Sequence, residues 1–398
     1  MSTSDRSVLV ASSYYPGVAQ GQTYAFSEVI RSVESADVLA TTQPSFKKGY
    51  ALRPTIEYLL LETFHRSTSV LRNKVGRKRL PTIQSVQLEK DYDLFFFMCQ
   101  FPLDLSALDR IQGWRERSGK AVAFLLESWS HYLPTTKPEL KMLDKFDHVF
   151  LLNAASIPNV AKYTSTPCSF LATAADCLLS TPLPNPPERT MDVYSMGRRS
   201  TAAHEQLLEL ARADPSFFYV YDTIKHGIVT DLAESRLLGA AFIKRSKFFI
   251  AYNHDAVDLQ SGHHKNFGER SLATRYFEGA AGGAVMLGSP VDAPEFRRFF
   301  DWEDALIEVP AVPEDLGAIL ADLNAQPERL RRASITNAVQ SLRRHDWAHR
   351  WDEILKTLGL GRSTLLQERL HRLEALAGAA EAEAIANGML KHDLPRPH

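Results

Sequence analysis

Cysteine is scarce in this chain. Three occur in 398 residues: Cys99, Cys168 and Cys177. An odd count without metal-ligand spacing excludes a disulfide scaffold or a zinc ribbon and points to reduced thiols. Long hydrophobic runs are missing as well. No stretch approaches the ~18 apolar residues of a spanning helix. Residues 1–13 have neither the charged nor the long apolar region of a signal peptide. The sequence therefore predicts a cytoplasmic protein, with contact at the inner face of a membrane left open. An excess of charge is also missing. The net charge is -1, so no global field recruits nucleic acid. What is present is ordinary for a globular protein: 44% hydrophobic and 23% charged residues, with length for two or three domains.

Short apolar runs alternate with helical patterns almost throughout, which argues for α/β architecture with parallel sheets. Strands are expected at 7–13, 36–41, 92–99, 121–126, 146–152 and 169–173, with helices at 22–33 and 52–73. The run YDLFFFMC at 92–99 is too continuously apolar to alternate and reads as a strand covered on both faces. Residues 180–190 (STPLPNPPERT) hold four prolines and no periodic pattern, so they read as a linker. A second unit follows, with strands at 192–196, 217–221, 248–252, 284–287 and 306–309. Its helices fall at 202–212, 232–243 and 269–281, then around Leu316 to Leu323, 327–342 and 347–358. The expected division is an N-terminal domain over 1–179, a linker over 180–190, a C-terminal domain over 191–345, and helices with a tail over 346–398. The Ala-, Glu- and Leu-rich end (363–390) reads as a helix that packs on the body or pairs with a second subunit. Two such halves place a ligand cleft between the carboxyl ends of both sheets.

The richest segment is 266–290, NFGERSLATRYFEGAAGGAVMLGSP. It reads as a helix over 269–281, with Leu272, Tyr276 and Ala280 on one apolar face. Ser271, Thr274, Arg275 and Glu278 share another. Gly282 and Gly283 stop the helix, and a strand-like run follows. A helix start suits a phosphate. Glu278, about 10 Å further along the axis, suits the vicinal hydroxyls of a ribose. An amphipathic helix with an Arg–Glu surface pair would show the same pattern.

The string RYFEGAAGGAVML (275–287) resembles the nucleotide-sugar motif of glycosyltransferases with two Rossmann-like domains, the GT-B fold. It is most similar to the family 4 (group 1) enzymes and to relatives of the spore-maturation glycosyltransferase CgeB. By this resemblance Glu278 binds the ribose and Gly282 matches the glycine ending the helix. Family 4 often has a second glutamate eight positions earlier; here that position is Arg270, with Glu269 one residue off. MDVYSMGRRS (191–200) resembles the family's strand–Gly–Arg element, which makes Arg198, then Arg199, the basic residues facing the leaving diphosphate. The lysine usual some five residues on is replaced by His204, and Lys265 or Arg270 is the candidate substitute. YYPGVAQGQT (14–23), with Gly17 and Gly21, resembles the N-terminal loop that faces donor phosphates and acceptor. Its spacing is not G-x-G-x-x-G, which argues against an NAD enzyme.

Glu127 ends an apolar strand in AFLLESWSHYLP, and His131 lies four residues on. The two are the candidate catalytic groups, or contacts to sugar or acceptor. His254, His263 and His264 flank Lys265, but no carboxylate–histidine spacing suits a metal. Residues 66–79 are basic, with no acidic residue between Glu62 and Glu89. That stretch is a solvated loop or a contact to anionic lipid. The leading expectation is a glycosyltransferase that takes a nucleotide-diphosphate sugar and an acceptor (glycan, lipid-linked or small molecule), retaining by resemblance. No metal or other cofactor is expected, and the C-terminal helix is a candidate for homo-oligomer contact. The alternatives are a non-catalytic scaffold on a decayed GT-B fold and a sugar-nucleotide epimerase.

Overall fold

The computed structural model describes residues 6–13, 20–40, 85–197, 199–223, 229, 231–253, 269–392 and 394. The candidates Gly17, Arg198, Lys265, His254, His263 and His264, the helix expected at 52–73 and the basic stretch lie outside these residues.

Among the described residues, eleven of thirteen strands form two sheets. The first holds β1 (Ser7–Ser12), β2 (Ser35–Ala40), β4 (Tyr92–Cys99), β6 (Ser118–Leu125), β7 (His148–Leu151) and β8 (Cys168–Phe170), in the order β2-β1-β4-β6-β7-β8. The second holds β9 (Met191–Ser195), β10 (Tyr219–Tyr221), β11 (Ser246–Ala251), β12 (Val285–Gly288) and β13 (Ile307–Glu308), in the order β10-β9-β11-β12-β13. Every pairing in both sheets is parallel. The short strands β3 (Val86–Gln87) and β5 (Ile111–Gln112) pair with each other. The fold class expected from the sequence, α/β with two parallel sheets, is the one observed.

Both strand orders reverse direction once, at β1/β4 and at β9/β11. Ligands of such sheets collect outside the carboxyl ends of the strands at that reversal. The longer helices are α1 (Gly21–Val33), α2 (Thr201–Ala213), α3 (Leu232–Arg245), α4 (Thr274–Ala281), α5 (Pro294–Phe299), α6 (Leu316–Asn324), α7 (Pro327–Arg344), α8 (Trp347–Thr357) and α9 (Thr364–Ala386).

The chain passes between the halves twice. Residues 181–190 carry it out without helix or strand. It returns after α7, where Ala175 N donates to His345 O (2.9 Å) and Trp347 N donates to Ala175 O (3.0 Å). Beyond that bridge, α8 and α9 pack on the N-terminal half. Trp347 stacks on Phe26 of α1 at 4.4 Å, and the Trp351 indole donates to Glu34 Oε1 at 2.9 Å. Ser363 Oγ donates to Val33 O at 2.6 Å. One apolar cluster consequently runs from β1 and α1 through α4 to α8 and α9. The tail expected at 363–390 thus packs on the body. Buried arginines hold it there. Arg343 forks onto Glu381 at 3.0 and 2.7 Å, and Arg369 donates to Asp346 and Asp176. Among the described residues no helix is long and apolar enough to cross a membrane.

Two histidines, the buried His345 and the half-buried His349, give this packing an expected pH dependence. His345 Nε2 faces Phe299 O at 2.9 Å, and His349 Nε2 faces Leu342 O at 3.0 Å. Burial pushes His345 well below the ordinary imidazole range and lowers His349 too. A histidine depressed in the folded state takes up protons first when unfolded. Its contribution is complete above the unfolded value of about 6.5 and is lost as pH falls below it. Thermal melts at pH 7.5 and 5.5 are expected to show a lower midpoint at the acid value. Equal midpoints would refute this account.

Candidate active site

The helix carrying Glu278 is shorter than its sequence suggests. It begins at Thr274, after Ala273 in extended conformation, whereas the apolar pattern pointed to 269–281. Ser271 therefore precedes the helix and does not share a helical face with Arg275 and Glu278. Glu278 lies only ~6 Å along the axis from the helix start. The cause is a tertiary contact. Glu269 reaches the first sheet, where it accepts from Ser130 N (2.8 Å), from Ser130 Oγ and from Asn153 Nδ2 (3.2 Å).

At the new helix start, Thr274 Oγ1 donates to Gln22 Oε1 of α1 at 2.8 Å and lies 3.1 Å from Thr173 Oγ1. The first turn of α4 thus meets the first turn of α1 and the loop after β8. Glu278 sits one turn deeper and is 4% exposed. Its Oε1 accepts from Arg236 Nη1 of α3. Arg236 was not among the sequence candidates. It had a signal: Leu232, Ala240 and Ile243 form the buried face of α3, and Arg236 falls four residues from both Leu232 and Ala240. A cation on an apolar face implies a buried partner.

Two glycines leave room for the arginines here, Gly21 for Arg236 and Gly197 for Arg275. A Cβ at Gly21 would stand 3.5 Å from Arg236 Cδ and 3.6 Å from its Nη1. One at Gly197 would stand 3.4 Å from Arg275 Nη2. Gly197 also has φ 71°, a left-handed conformation that favours glycine. Gly21, Gly197, Arg236, Arg275 and Glu278 therefore converge from both halves, at the ends of α1, β9, α3 and α4. Arg275 is not the partner of Glu278, as the sequence spacing allowed. It lies instead against the turn after β9.

The other basic candidates are engaged elsewhere. Arg199 Nη1 donates to Asp222 O at 2.6 Å and stacks over Tyr221 at 5.2 Å. Gly197 N donates to Asp222 Oδ2 at 2.9 Å, so Asp222 ties the turn after β9 to the end of β10. Arg270 donates to Asp292 at 2.8 Å on the surface. His204 faces Tyr219 OH at 2.8 Å; burial and Arg199 lower its pKa, so it is not a standing cation near pH 7.

The two glycines after α4 divide the task given jointly to them. Gly283 has φ 61° and makes the left-handed turn. Gly282 has φ −76° and ψ 0°, open to any residue, but a Cβ there would collide with Ile243 Cγ2. Gly279 inside the helix is pressed in the same way: its Cβ would lie 2.6 Å from Phe249 Cδ1 and 2.8 Å from Met286 Sδ. Gly279→Ala is expected to cost about 1–3 kcal/mol by overpacking, read by denaturant titration. A stabilised variant, as helix propensity alone would give, would disprove the close contact.

On the facing side, Gln100, Glu127 and Asn153 follow β4, β6 and β7. Gln100 Nε2 lies 3.5 Å from Glu127 Oε1, and the Trp129 indole donates to Glu127 Oε2. Gln100 Oε1 and Asn153 Oδ1 are buried without a hydrogen-bond partner. Burial lowers the pKa of His131, and Glu269 opposes it only in part. Glu269 joins this side to the chain leading into α4. Among the described residues no cluster of three His, Cys, Asp or Glu could hold a metal ion.

Residues 232–356 match a family model described as glycosyl transferase-like. That segment begins with α3 and contains the Arg236–Glu278 pair. No curated protein matches the sequence. Among solved structures the chain is similar to TarM, at 9% identity and a TM-score of 0.41 over 66% of this chain and 54% of that one. It spans about half of TarM's length. It is also similar to an α,α-trehalose-phosphate synthase (UDP-forming) from Burkholderia vietnamiensis, at 12% identity and 0.46 over 92% and 99%. An α-glucosyltransferase solved with UDP-glucose and DNA containing an abasic site matches at 10% identity and 0.49 over 89% and 99%.

Proposed function

We propose that this chain is a glycosyltransferase moving a sugar from a nucleotide-diphosphate sugar to an acceptor with retention of configuration. The supporting observation is Glu278, buried against Arg236 inside the segment that matches the glycosyl transferase-like model. In this reading Arg236 fixes one oxygen of Glu278, and the other accepts from the ribose hydroxyls. Arg275 and the N–H groups opening α4 face the diphosphate, which gains negative charge as the sugar leaves. Arg198 and Lys265 are proposed to join them. The N-terminal half holds the acceptor, and apposition of the halves keeps water from the donor. A metal is not required, since cationic side chains and backbone dipoles supply the charge.

Melting the protein with UDP, GDP, ADP and CDP tests the donor site. At 100 times Kd, a nucleotide binding only the native state adds about 2.7 kcal/mol, so at least one should raise the midpoint. Failure of all four would remove the reading. Chelation with EDTA is expected to leave transfer unchanged; loss of activity restored by a divalent cation would overturn the metal-free mechanism. A second reading, nucleotide binding without transfer, rests on Arg270 and His204 standing where family 4 has a glutamate and a lysine. A product assay with the stabilising nucleotide's sugar separates the two.

A further inference from the structure

We infer that Arg189, in the segment joining the two halves, is a positioning residue: it locks α3 and α4 together so that Arg236 and Glu278 meet in the geometry a ribose requires. This inference rests on the transferase reading, since it takes Glu278 as the ribose contact.

Arg189 lies at the end of the stretch that carries the chain out of the first half. Its guanidinium turns back between the ends of two helices. Nη1 donates to Ser246 O, at the cap of α3, at 2.6 Å and to Ile243 O in the last turn at 3.4 Å. Nη2 donates to Gly283 O at 2.5 Å and to Gly282 O at 3.3 Å, just past α4. It also donates to Ser334 Oγ of α7 at 3.1 Å. The last carbonyls of a helix have no partner inside it and carry partial negative charge. One planar cation here answers two helix ends at once. Burial lowers its pKa to about 10, which leaves it a cation at pH 7. The approach is close: a Cβ on Gly283 would stand 3.1 Å from Arg189 Nη2.

The pair that meets the ribose joins the same two helices. Arg236 lies seven positions before Ile243, ~10 Å along α3, and Glu278 lies four positions before Gly282, ~6 Å along α4. The two helices are thus tied at two points. α4 is only 8 residues long, so most of its carbonyls are terminal and what caps them sets its direction. With Arg189 removed, the Arg236–Glu278 contact is a single pivot about which α4 can tilt. Over the ~6 Å arm, a tilt of ~10° is a shift of ~1 Å. A shift of that size undoes an oriented contact.

Isothermal titration calorimetry on the full chain tests this, with UDP, GDP, ADP and CDP and the 2′,3′-dideoxy form of each. The readout is the ratio of the two Kd values, which cancels any general loss of folded protein. The wild type should bind at least one ribonucleotide roughly ten-fold more tightly than its dideoxy form, the worth of hydrogen bonds to a carboxylate. In Arg189→Met that ratio should fall to about two-fold. Arg189→Lys carries a single ammonium that reaches one helix end but not both, so its ratio should fall in between. That variant decides the matter if the methionine variant does not fold. The inference alone is overturned if both variants melt earlier yet keep the wild-type ratio; Arg189 is then a brace for the fold and nothing more. A wild-type chain that prefers no ribonucleotide over its dideoxy form overturns the ribose assignment of Glu278, and this inference with it.

Discussion

If Glu278 holds the ribose as proposed, Glu278→Ala lowers kcat/KM for transfer by at least ~100-fold, because the nucleotide's hydroxyls then lose a buried, oriented acceptor. The substitution has a second effect. Arg236 keeps its partly buried guanidinium, whose Nε already lacks a partner, and loses the carboxylate opposite. Removing one member of a buried pair costs up to about 3–5 kcal/mol; the partial exposure of Arg236 puts this one at the lower end. Two companion variants separate the effects. Glu278→Gln keeps the shape and one carbonyl acceptor, so it should retain more activity than alanine. Glu278→Ala combined with Arg236→Met removes both charges, and should recover stability without recovering transfer. Wild-type transfer by the alanine variant would show that the ribose assignment is wrong.

Arg369→Met carries the largest expected loss of stability. Arg369 donates to Asp346 through Nε and Nη2, at 2.9 and 2.8 Å, and to Asp176 through Nη2 at 2.8 Å. Asp346 is fully buried. Burial works to raise its pKa, and Arg369 overrides that and holds it low. Without the guanidinium two carboxylates face each other beside the buried Cys177, whose N–H donates to Asp346 Oδ2 at 2.8 Å. The cost should be about 3–5 kcal/mol. With an unfolding entropy of ~2.1 cal/mol/K per residue, that is roughly 5 °C in a chain of this length. Because Asp346 must take up a proton in the variant, the deficit should shrink as pH falls toward 4. A melting curve unchanged at pH 7.5 would mean that the pair is solvated in solution.

Much of the architecture was legible in the sequence. The run at 92–99 appears as β4 with the same bounds, because a strand covered on both faces past Asp93 has no further polar position to blur it. The reading at 269–273 missed for a physical reason. Glu269 and Arg270 fit a helical pattern locally, but Glu269 is committed to Ser130, 139 positions away. Local periodicity carries no record of such a contact. The partner of Glu278 failed similarly: Arg275 was near in sequence, whereas Arg236, 42 residues away, is near in space. Arg236 was nonetheless readable as the charged interruption of an apolar face. The amide oxygens of Gln100 and Asn153 left no trace, since an unmet acceptor exists only once its surroundings are folded.

The bridge between Ala175 and residues 345–347 bears on the order in which the molecule is assembled. Trp347 and Trp351 fill the space beside Phe26 and Phe96 in the N-terminal half. Those tryptophans are synthesised more than 300 residues after Phe26. During translation the first sheet is therefore made early but left with one side of α1 uncovered until the second half has emerged. Domains commonly fold in sequence from the N-terminus; here the first half cannot finish first. A nascent chain stopped before α8 would carry exposed aromatic surface, a natural substrate for chaperones.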